Sequence, residues 1–263
     1  MPGAKFDLAY VFDYFPKLLS TLNVTLTIVG LSIVLGLGVG FLVALPRLYK
    51  VPVLKRVSEV YVSFFRGTPI LIQLFLIYYG LPEILKLANV DVTRTPVLVF
   101  VVLTYSLHAG AFMSEMIRAG VAAVDRGQVE AAYSVGMTGP QAFVRIVLPQ
   151  ALAISLPVFA NLVIATLKDT SLAFSLGVME MTGKAQTLIT VGQHFVEAYL
   201  VLAIIYFVIS FALERLFRLL ERRLLRHEKT ENADRKRFGR RGSPSLRGLL
   251  AESASLPKGG SGL

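Results

Sequence analysis

The sequence predicts an all-α membrane protein, a bundle of five transmembrane helices, and three observations support that prediction. Of the 263 residues, 54% are hydrophobic and only 17% are charged, which is not the composition of a soluble domain. Five runs are free or nearly free of charge, and each can cross a hydrocarbon layer of about 30 Å. Basic residues gather in every second connecting segment, as in chains that pass repeatedly through a membrane.

These runs divide the chain into three regions. The spans are predicted at residues 18–46, 60–81, 95–114, 146–167 (beginning near Leu152) and 198–213. Residues 1–17 are rich in aromatic side chains and are predicted to be an external interfacial segment. Residues 18–226 would form the five-span domain. Residues 227–263 are rich in charge, Gly, Ser and Pro, so a basic, disordered cytoplasmic tail is predicted there.

The first span and the loop after it set the packing and the orientation. Ser32, Gly36 and Gly40 stand four residues apart, which predicts a helix face that a second helix approaches closely. The loop at 47–59 carries four basic residues and is therefore expected in the cytoplasm. The N-terminus then lies outside and, after five spans, the C-terminus lies in the cytoplasm.

The second and third spans contain polar groups that a lipid-facing helix would not carry. Arg66-Gly67-Thr68-Pro69 predicts a break or a cavity near the beginning of the second span, before a polar outer loop at 83–94. His108 lies within the third span. It is interpreted most simply as a neutral side chain bonded to a neighbouring helix, with substrate contact as the alternative. Glu115 and Arg118 follow at a spacing that allows pairing.

The fourth span ends in a pair of opposite charges. Lys168 and Asp169 can form an ion pair or bond to the backbone; alternatively, Asp169 faces a cavity and binds an ammonium group. Residues 182–197 are predicted to be a second outer loop before the fifth span.

A polar segment at residues 125–150 separates the third and fourth spans. Helical spacing, a glycine and a proline predict a short helix, a turn at Gly136, and a second helix with Pro140 at its first position. Pro149 is expected to mark a break before the next apolar run. Three spans from an external N-terminus place this segment in the cytoplasm. Taken locally, an amphipathic connector at the membrane surface is also possible.

The order of residues in this segment resembles the EAA loop of ATP-binding cassette (ABC) importer permeases. The matching positions are Glu130, Ala131, Ala132, Gly136, Ile146, Leu148 and Pro149. The resemblance implies a cytoplasmic coupling helix that sits in a groove of a separate ATPase subunit. Departures are small: Val124-Asp125 stands where the family commonly has Ile-Pro, and Leu107-His108-Ala109 stands where a small polar residue is common.

Two further stretches resemble the polar amino-acid branch of that family, namely RGTPILIQLFLIYYGLP and KDTSL. The resemblance implies the permease subunit of an importer for a polar amino acid or similar small zwitterion, in a bacterial cytoplasmic (inner) membrane. Its implied partners are a cytoplasmic ATPase, a second permease subunit, identical or homologous, and an extracytoplasmic substrate-binding protein. Candidates for the substrate pathway are Arg66, Gln73, His108 and Asp169, with Arg66 suited to a carboxylate.

Several other functions find no support in the sequence. There is no cysteine, the three histidines lack metal-ligand spacing, and Gly183-Lys184-Ala185 does not fit a phosphate-binding loop. The chain is thus expected to bind no cofactor and to be no enzyme, with ATP and magnesium in the partner ATPase. The net charge of +10 is attributed to membrane orientation and not to nucleic acid. An ion-coupled secondary carrier and a membrane scaffold are the alternatives.

Overall fold

The computed structural model describes residues 6–224, which are almost entirely helical. The α-helices of this range are α1 Leu8–Leu19, α2 Leu22–Leu48, α3 Pro52–Gly67, α4 Ile70–Phe75, α5 Leu81–Leu87, α6 Val97–Ala122, α7 Arg126–Ser134, α8 Gly139–Ala142, α9 Leu148–Asp169, α10 Met181–Gly192 and α11 Phe195–Leu224. π-helical turns at Leu76–Gly80 and Phe143–Val147 join α4 to α5 and α8 to α9, and a 3-10 turn at Thr170–Leu176 follows α9. The predicted tail at 227–263 lies outside the described residues.

Five helical stretches of residues 6–224 are long and apolar enough to cross a membrane, which confirms the predicted bundle. They are Leu22–Leu48, Ile70–Leu87, Val97–Ala122, Gly139–Leu176 and Phe195–Arg223. Two helices continue beyond the uncharged spans, as the helical spacing of the charged residues after them predicts: α6 continues past Ser114 to Ala122, and α11 continues past residue 213 to Leu224. The predicted ends were set at the first charged residue, but a helix can keep its hydrogen bonds while its charged side chains reach the interface.

The predicted start of the first span at Leu18 is wrong. Leu18 belongs to α1, and the chain turns at Ser20 and Thr21 before α2 begins. The Ser20 hydroxyl donates to the carbonyl of Lys17 at 2.7 Å and the Thr21 hydroxyl to that of Leu18 at 3.0 Å. Side-chain hydroxyls therefore provide hydrogen bonds to carbonyls at the end of α1. Leu18 is fully buried in a cluster that includes Met181 of α10 and Val201 of α11.

The predicted start of the second span at residue 60 is also wrong, although the expected break is present. The helix α3 ends at Gly67, and Thr68 and Pro69 are extended, with ψ values of 144° and 136°. Proline disfavours helical backbone at the residue before it, which accounts for the extended Thr68. The span is therefore Ile70–Leu87, and α3 is a separate amphipathic helix.

The predicted outer loop at 182–197 is instead largely the helix α10. Its first turn is capped by the buried carboxylate of Glu180, which accepts hydrogen bonds at 2.9 Å from the backbone N–H groups of Thr182 and Gly183. Met181, Ala185 and Ile189 are buried at helical spacing against α1 and α11. The stretch was predicted to be a loop because it contains polar residues and its apolar face is narrow.

The small-residue face of α2 packs closely on α6, as predicted. A Cβ atom built at Gly36 would lie 3.0 Å from Ala109 Cβ, and one built at Gly40 would lie 2.7 Å from Met113 Cβ. On the other helix, a Cβ at Gly110 would lie 2.7 Å from Val39 Cγ1. Both helices therefore need glycine where they cross. The crossing fixes the orientation of α6 and with it the side of the molecule on which its polar side chains lie.

Candidate functional site

A cavity of about 580 Å³ lies within the membrane-spanning bundle. The wall consists of one face of α6 and one face of α9, and Arg66 at the end of α3 completes it. The lining surface is mainly apolar and includes Phe112, Met116, Ile154, Val158 and Leu162, while seven of the sixteen lining residues carry a polar or charged side chain. A concave apolar site of this volume with a few converging polar groups is typical of small-molecule sites.

Three of the four residues proposed from the sequence for a substrate pathway line this cavity: Arg66, His108 and Asp169. The guanidinium of Arg66 lies over the Phe112 ring, 5.4 Å from its centroid, and His108 is 5.0 Å from the same ring. Phe112 is thus part of the wall that sequence reasoning missed. Spaced four residues from His108 on α6, it shares that residue's face.

Asp169 presents its carboxylate to the cavity without forming the ion pair that was one prediction for it. Within residues 6–224, the carboxylate makes no hydrogen bond and no salt bridge, and Lys168 is exposed. Its backbone carbonyl accepts a 2.5 Å hydrogen bond from the buried Tyr105 hydroxyl. That bond fixes the end of α9 to α6 and leaves the carboxylate available to a cationic ligand.

The fourth candidate, Gln73, does not line the cavity; it is buried beside it on α4, with 1% of its surface exposed. Its amide nitrogen donates to the carbonyls of Phe65 and Thr68 at 2.9 and 3.0 Å. Its amide oxygen lies 2.9 Å from Nδ1 of His108. The prediction that His108 bonds a neighbouring helix is therefore confirmed.

Charged groups form a small network where α2 meets α6. Glu115 lines the cavity, and its Oε2 lies 2.7 Å from Nη1 of Arg47. Arg118 pairs with the other oxygen of the same carboxylate, as its spacing predicted, with Nε at 3.1 Å. The two pairs tie α2 to α6 and leave one net positive charge among the three groups.

The polar segment at 125–150 folds as two short helices around a turn. The Asp125 carboxylate caps α7 by accepting from the N–H of Gly127 at 2.8 Å. Gly136 ends the helix with φ of +81°, as predicted; its N–H donates to the Tyr133 carbonyl at 3.0 Å, and the N–H of Met137 donates to the Ala132 carbonyl at 3.1 Å. These two bonds define a Schellman motif.

Two details of this segment differ from the prediction. The second short helix begins at Gly139, so Pro140 occupies its second position, and a capping box of Thr138 and Gln141 starts it. Pro149 does not break the chain, because it lies in the first turn of α9, where its missing N–H is tolerated, directly after the π-helical turn.

The positions in this segment that matched the resemblance differ in exposure. Glu130, Ala131, Gly136 and Pro149 are exposed, Ile146 and Leu148 are half-buried, and Ala132 is buried. The inner face of the segment packs on the start of α9, where Val124, Val147 and Ala151 form a buried cluster. The exposed face also presents the large side chains of Tyr133 and Val135.

Sequence reasoning missed Glu180, the most completely buried carboxylate of the described chain. Burial raises the pKa of the Glu180 carboxyl, while hydrogen bonds from Thr182 and Gly183 oppose that shift. The Tyr206 hydroxyl of α11 lies 3.4 Å from the same group. No role for Glu180 follows from the sequence, because a Glu three residues before a glycine is only a weak signal for a helix cap.

A bundle of five spans with an internal cavity and an exposed polar segment between two spans is the architecture of a membrane transport subunit. Residues 36–226 match the family described as "Binding-protein-dependent transport system inner membrane component", and the chain belongs to this family. It is 47% identical to the L-cystine transport system permease protein TcyL of Bacillus subtilis over 85% of this chain and 93% of that protein. It is 42% identical to the probable amino-acid ABC transporter permease protein PatM of Vibrio harveyi, over 80% of this chain and 92% of that protein.

Solved structures agree with this assignment. The chain resembles the crystal structure of an amino acid ABC transporter with histidines, with a TM-score of 0.75, 33% identity, and coverage of 84% of this chain and all of that one. The family and these likenesses confirm the resemblance found in the sequence. The chain is a permease subunit of an ABC importer, and the comparisons favour this over an ion-coupled carrier.

Proposed function

We propose that this chain carries a polar amino acid or similar small zwitterion through the cavity between α6 and α9. The observation that carries the proposal is the placement of Arg66 and Asp169 on one cavity of about 580 Å³. Arg66 suits the carboxylate of a zwitterion, and Asp169, whose carboxylate has no partner among the described residues, suits its ammonium group. Relatives that are named for the transport of amino acids support the same cargo.

The energy source in this proposal is a separate ATPase subunit. Residues 125–150 would dock on it from the cytoplasm, with Glu130, Ala131, Ala132, Gly136, Ile146, Leu148 and Pro149 forming or supporting the contact. The exposed face of α7 and the cap at Gly136 support this arrangement. The permease itself would bind no cofactor, and ATP and magnesium would belong to the ATPase. Residues 6–224 contain no group of three or more potential metal ligands.

The rest of the assembly follows from the family. A second permease subunit, identical or homologous, would complete the pathway, and an extracytoplasmic substrate-binding protein would deliver the cargo. The N-terminal segment 1–17 would lie outside and the tail at 227–263 in the cytoplasm of a bacterium, because the basic residues between 47 and 59, at the end of α2 and the start of α3, favour the inner side. Nucleic acid has no part in this proposal.

Reconstitution tests the proposed energy source. The full chain is purified from its native membrane, the co-purifying subunits are identified by mass spectrometry, and the complex is placed in lipid vesicles. Uptake of labelled amino acids should require ATP and should be lost when the ATPase is omitted. Uptake by the chain alone, driven by an ion gradient, would contradict the proposal.

A substitution tests the proposed cargo site. Asp169→Asn removes a charge from the cavity and should weaken amino-acid binding by about tenfold to a hundredfold, the range expected for one charge-assisted hydrogen bond. The control is Asp91→Asn, since Asp91 is an exposed carboxylate in a loop and does not line the cavity. Equal affinities of Asp169→Asn and wild type in titration calorimetry would remove Asp169 from the site.

A further inference from the structure

The break between α3 and α4 leaves two backbone carbonyls without their helical partners. The carbonyl of Phe65 would normally accept from the N–H four residues later, but that residue is Pro69, which has no N–H. The carbonyl of Thr68 loses its partner as well, because the N–H groups of Ile72 and Gln73 both donate to Pro69. Two buried or half-buried acceptors therefore need donors from elsewhere.

The side-chain amide of Gln73 supplies both donors. Its nitrogen lies 2.9 Å from the Phe65 carbonyl, 3.0 Å from the Thr68 carbonyl and 2.8 Å from the Thr68 hydroxyl. Turning the amide over would set its oxygen against two carbonyl oxygens that have no hydrogen to give. The orientation of the amide is thus determined by its surroundings, and its oxygen must face His108.

The orientation of Gln73 decides which nitrogen of His108 carries the hydrogen. The two atoms in contact are the Gln73 amide oxygen and Nδ1 of His108, 2.9 Å apart, and an amide oxygen can only accept. Nδ1 must therefore be the protonated nitrogen. No carboxylate of residues 6–224 forms a salt bridge with His108. In the neutral ring Nε2 is then an acceptor.

The free acceptor opens onto the cavity. His108 lines the cavity, and its Nε2 makes no hydrogen bond within the described chain. Nε2 is also absent from the buried side-chain polar atoms that lack a hydrogen-bond partner in the described chain. An atom that is neither bonded nor buried must be accessible, and the accessible space beside this ring is the cavity.

We propose that Nε2 of His108 is a specificity-determining acceptor that takes an ammonium N–H of the cargo, and that Gln73 is a positioning residue that holds it in this tautomer. The inference rests on the proposed function, because it assumes that an amino acid occupies this cavity. With Arg66 beside the same Phe112 ring, the wall offers a cationic donor and a neutral acceptor together. Such a wall matches a zwitterion and rejects a cargo without N–H groups.

The tautomer can be measured without any cargo. The full chain, assembled with its ATPase and labelled with ¹⁵N-histidine, is placed in lipid bilayers for solid-state NMR, and the His108 signals are identified by their loss in His108→Asn. We expect a protonated Nδ1 and an unprotonated Nε2. A protonated Nε2 would overturn the proposal whatever the importer carries.

The contact is tested by adding an equimolar mixture of L-cystine and the twenty protein amino acids. The Nε2 signal should move toward the hydrogen-bonded position, while the same vesicles take up labelled amino acid. Uptake with an unmoved Nε2 signal would refute the contact alone. Failure to bind or take up any amino acid would refute the proposed function instead, and the tautomer result identifies which of the two has failed.

Three substitutions of His108 distinguish a role as hydrogen-bond acceptor from a role in packing. His108→Asn keeps a donor at the Nδ1 position for Gln73 but has no acceptor at Nε2; His108→Gln places an amide oxygen near Nε2 and loses the Gln73 bond. If Nε2 binds the cargo, His108→Asn and His108→Leu weaken amino-acid binding by about tenfold or more, and His108→Gln by less. Affinity that is preserved in His108→Asn and lost in His108→Gln would reduce the residue to a structural role.

Discussion

Gly136 offers the sharpest test of the proposed ATPase docking by residues 125–150, because its own contribution is confined to the backbone. Its φ of +81° lies in the left-handed region, and a Cβ built there would meet no atom within 4 Å. Gly136→Val therefore creates no clash and acts only through conformational strain. That strain amounts to about 1–2 kcal/mol for an ordinary side chain in this region, and a β-branched residue lies at the upper end.

The strained residue ends a short helix that few buried contacts stabilise. The helix α7 has nine residues, only Ala132 among them is buried, and its end depends on the Met137 N–H bond to the Ala132 carbonyl. A cost of about 1–2 kcal/mol changes the equilibrium constant between the closed and open forms of such a cap by about 5- to 30-fold. The last turn of α7 should unwind and displace the exposed surface that would meet the ATPase.

The assay compares membrane insertion, ATPase co-purification and ATP-driven uptake in vesicles for each variant. Gly136→Val should insert normally and lose uptake. Gly136→Asn should retain much of it, because Asn tolerates the left-handed region. The control is Gly139→Val: Gly139 has no positive φ, and a Cβ there would come no closer than 3.8 Å to the Tyr133 hydroxyl. Unchanged uptake in Gly136→Val, or equal loss in Gly139→Val, would refute the reasoning.

Three further predictions concern the scaffold. Gly40→Leu should destabilise the bundle by about 1–3 kcal/mol and lower its thermal midpoint in detergent, because its Cβ would lie 2.7 Å from a neighbouring Cβ, whereas Gly30→Leu, with nothing within 4 Å, should not. Glu180→Ala should lower the free energy of unfolding by about 1–3 kcal/mol, because it leaves two buried N–H groups of α10 unpaired, and Glu180→Gln should lower it by less. A fall in the thermal midpoint of Glu180→Ala no larger than that of Gly30→Leu would contradict the capping role. Glu115→Gln should lower the same midpoint, because Arg47 loses its carboxylate, and unchanged stability would show that the pair contributes nothing.

The elements that the sequence predicted well are those that depend on local rules. Long charge-free runs give the five spans, Pro69 gives the break before α4, and the spacing of Gly36 and Gly40 gives the crossing with α6. Each of these follows from the hydrogen-bonding or steric limits of a single segment, so neighbouring residues suffice to predict it.

The features that the sequence did not predict depend on packing partners and hydrogen-bond partners that other segments provide. The helix α10 was taken for a loop because its apolar face is narrow, and only the cluster with α1 and α11 gives that face a partner. Gln73 looked like a cavity residue because it is polar within a span. Its amide is instead used by carbonyls that the break at Pro69 leaves free, which requires the three-dimensional path of α3 and α4.

The helix α9 connects the two parts of the site physically. One face of it lines the cavity from Ile154 to Asp169, a rise of about 22 Å at 1.5 Å per residue. At its other end Val147 and Ala151 pack on Val124, which directly precedes the polar segment at 125–150. A displacement of that segment by an ATPase would therefore reach the cavity wall through one packed helix instead of through a loop.

The weak point of this connection is the π-helical turn at Phe143–Val147. The N–H of Leu148 donates to the Phe143 carbonyl, one residue further back than in an α-helix, and Pro149 has no N–H to give. Bending there would let α8 move without α9 and would separate ATP binding from the cavity. The packing of Val147 and Ala151 on Val124 ties the start of α9 to the end of α6, and Val129 of α7 packs against the same cluster. In the proposed coupling, a displacement of α7 would therefore reach α9 through this apolar contact.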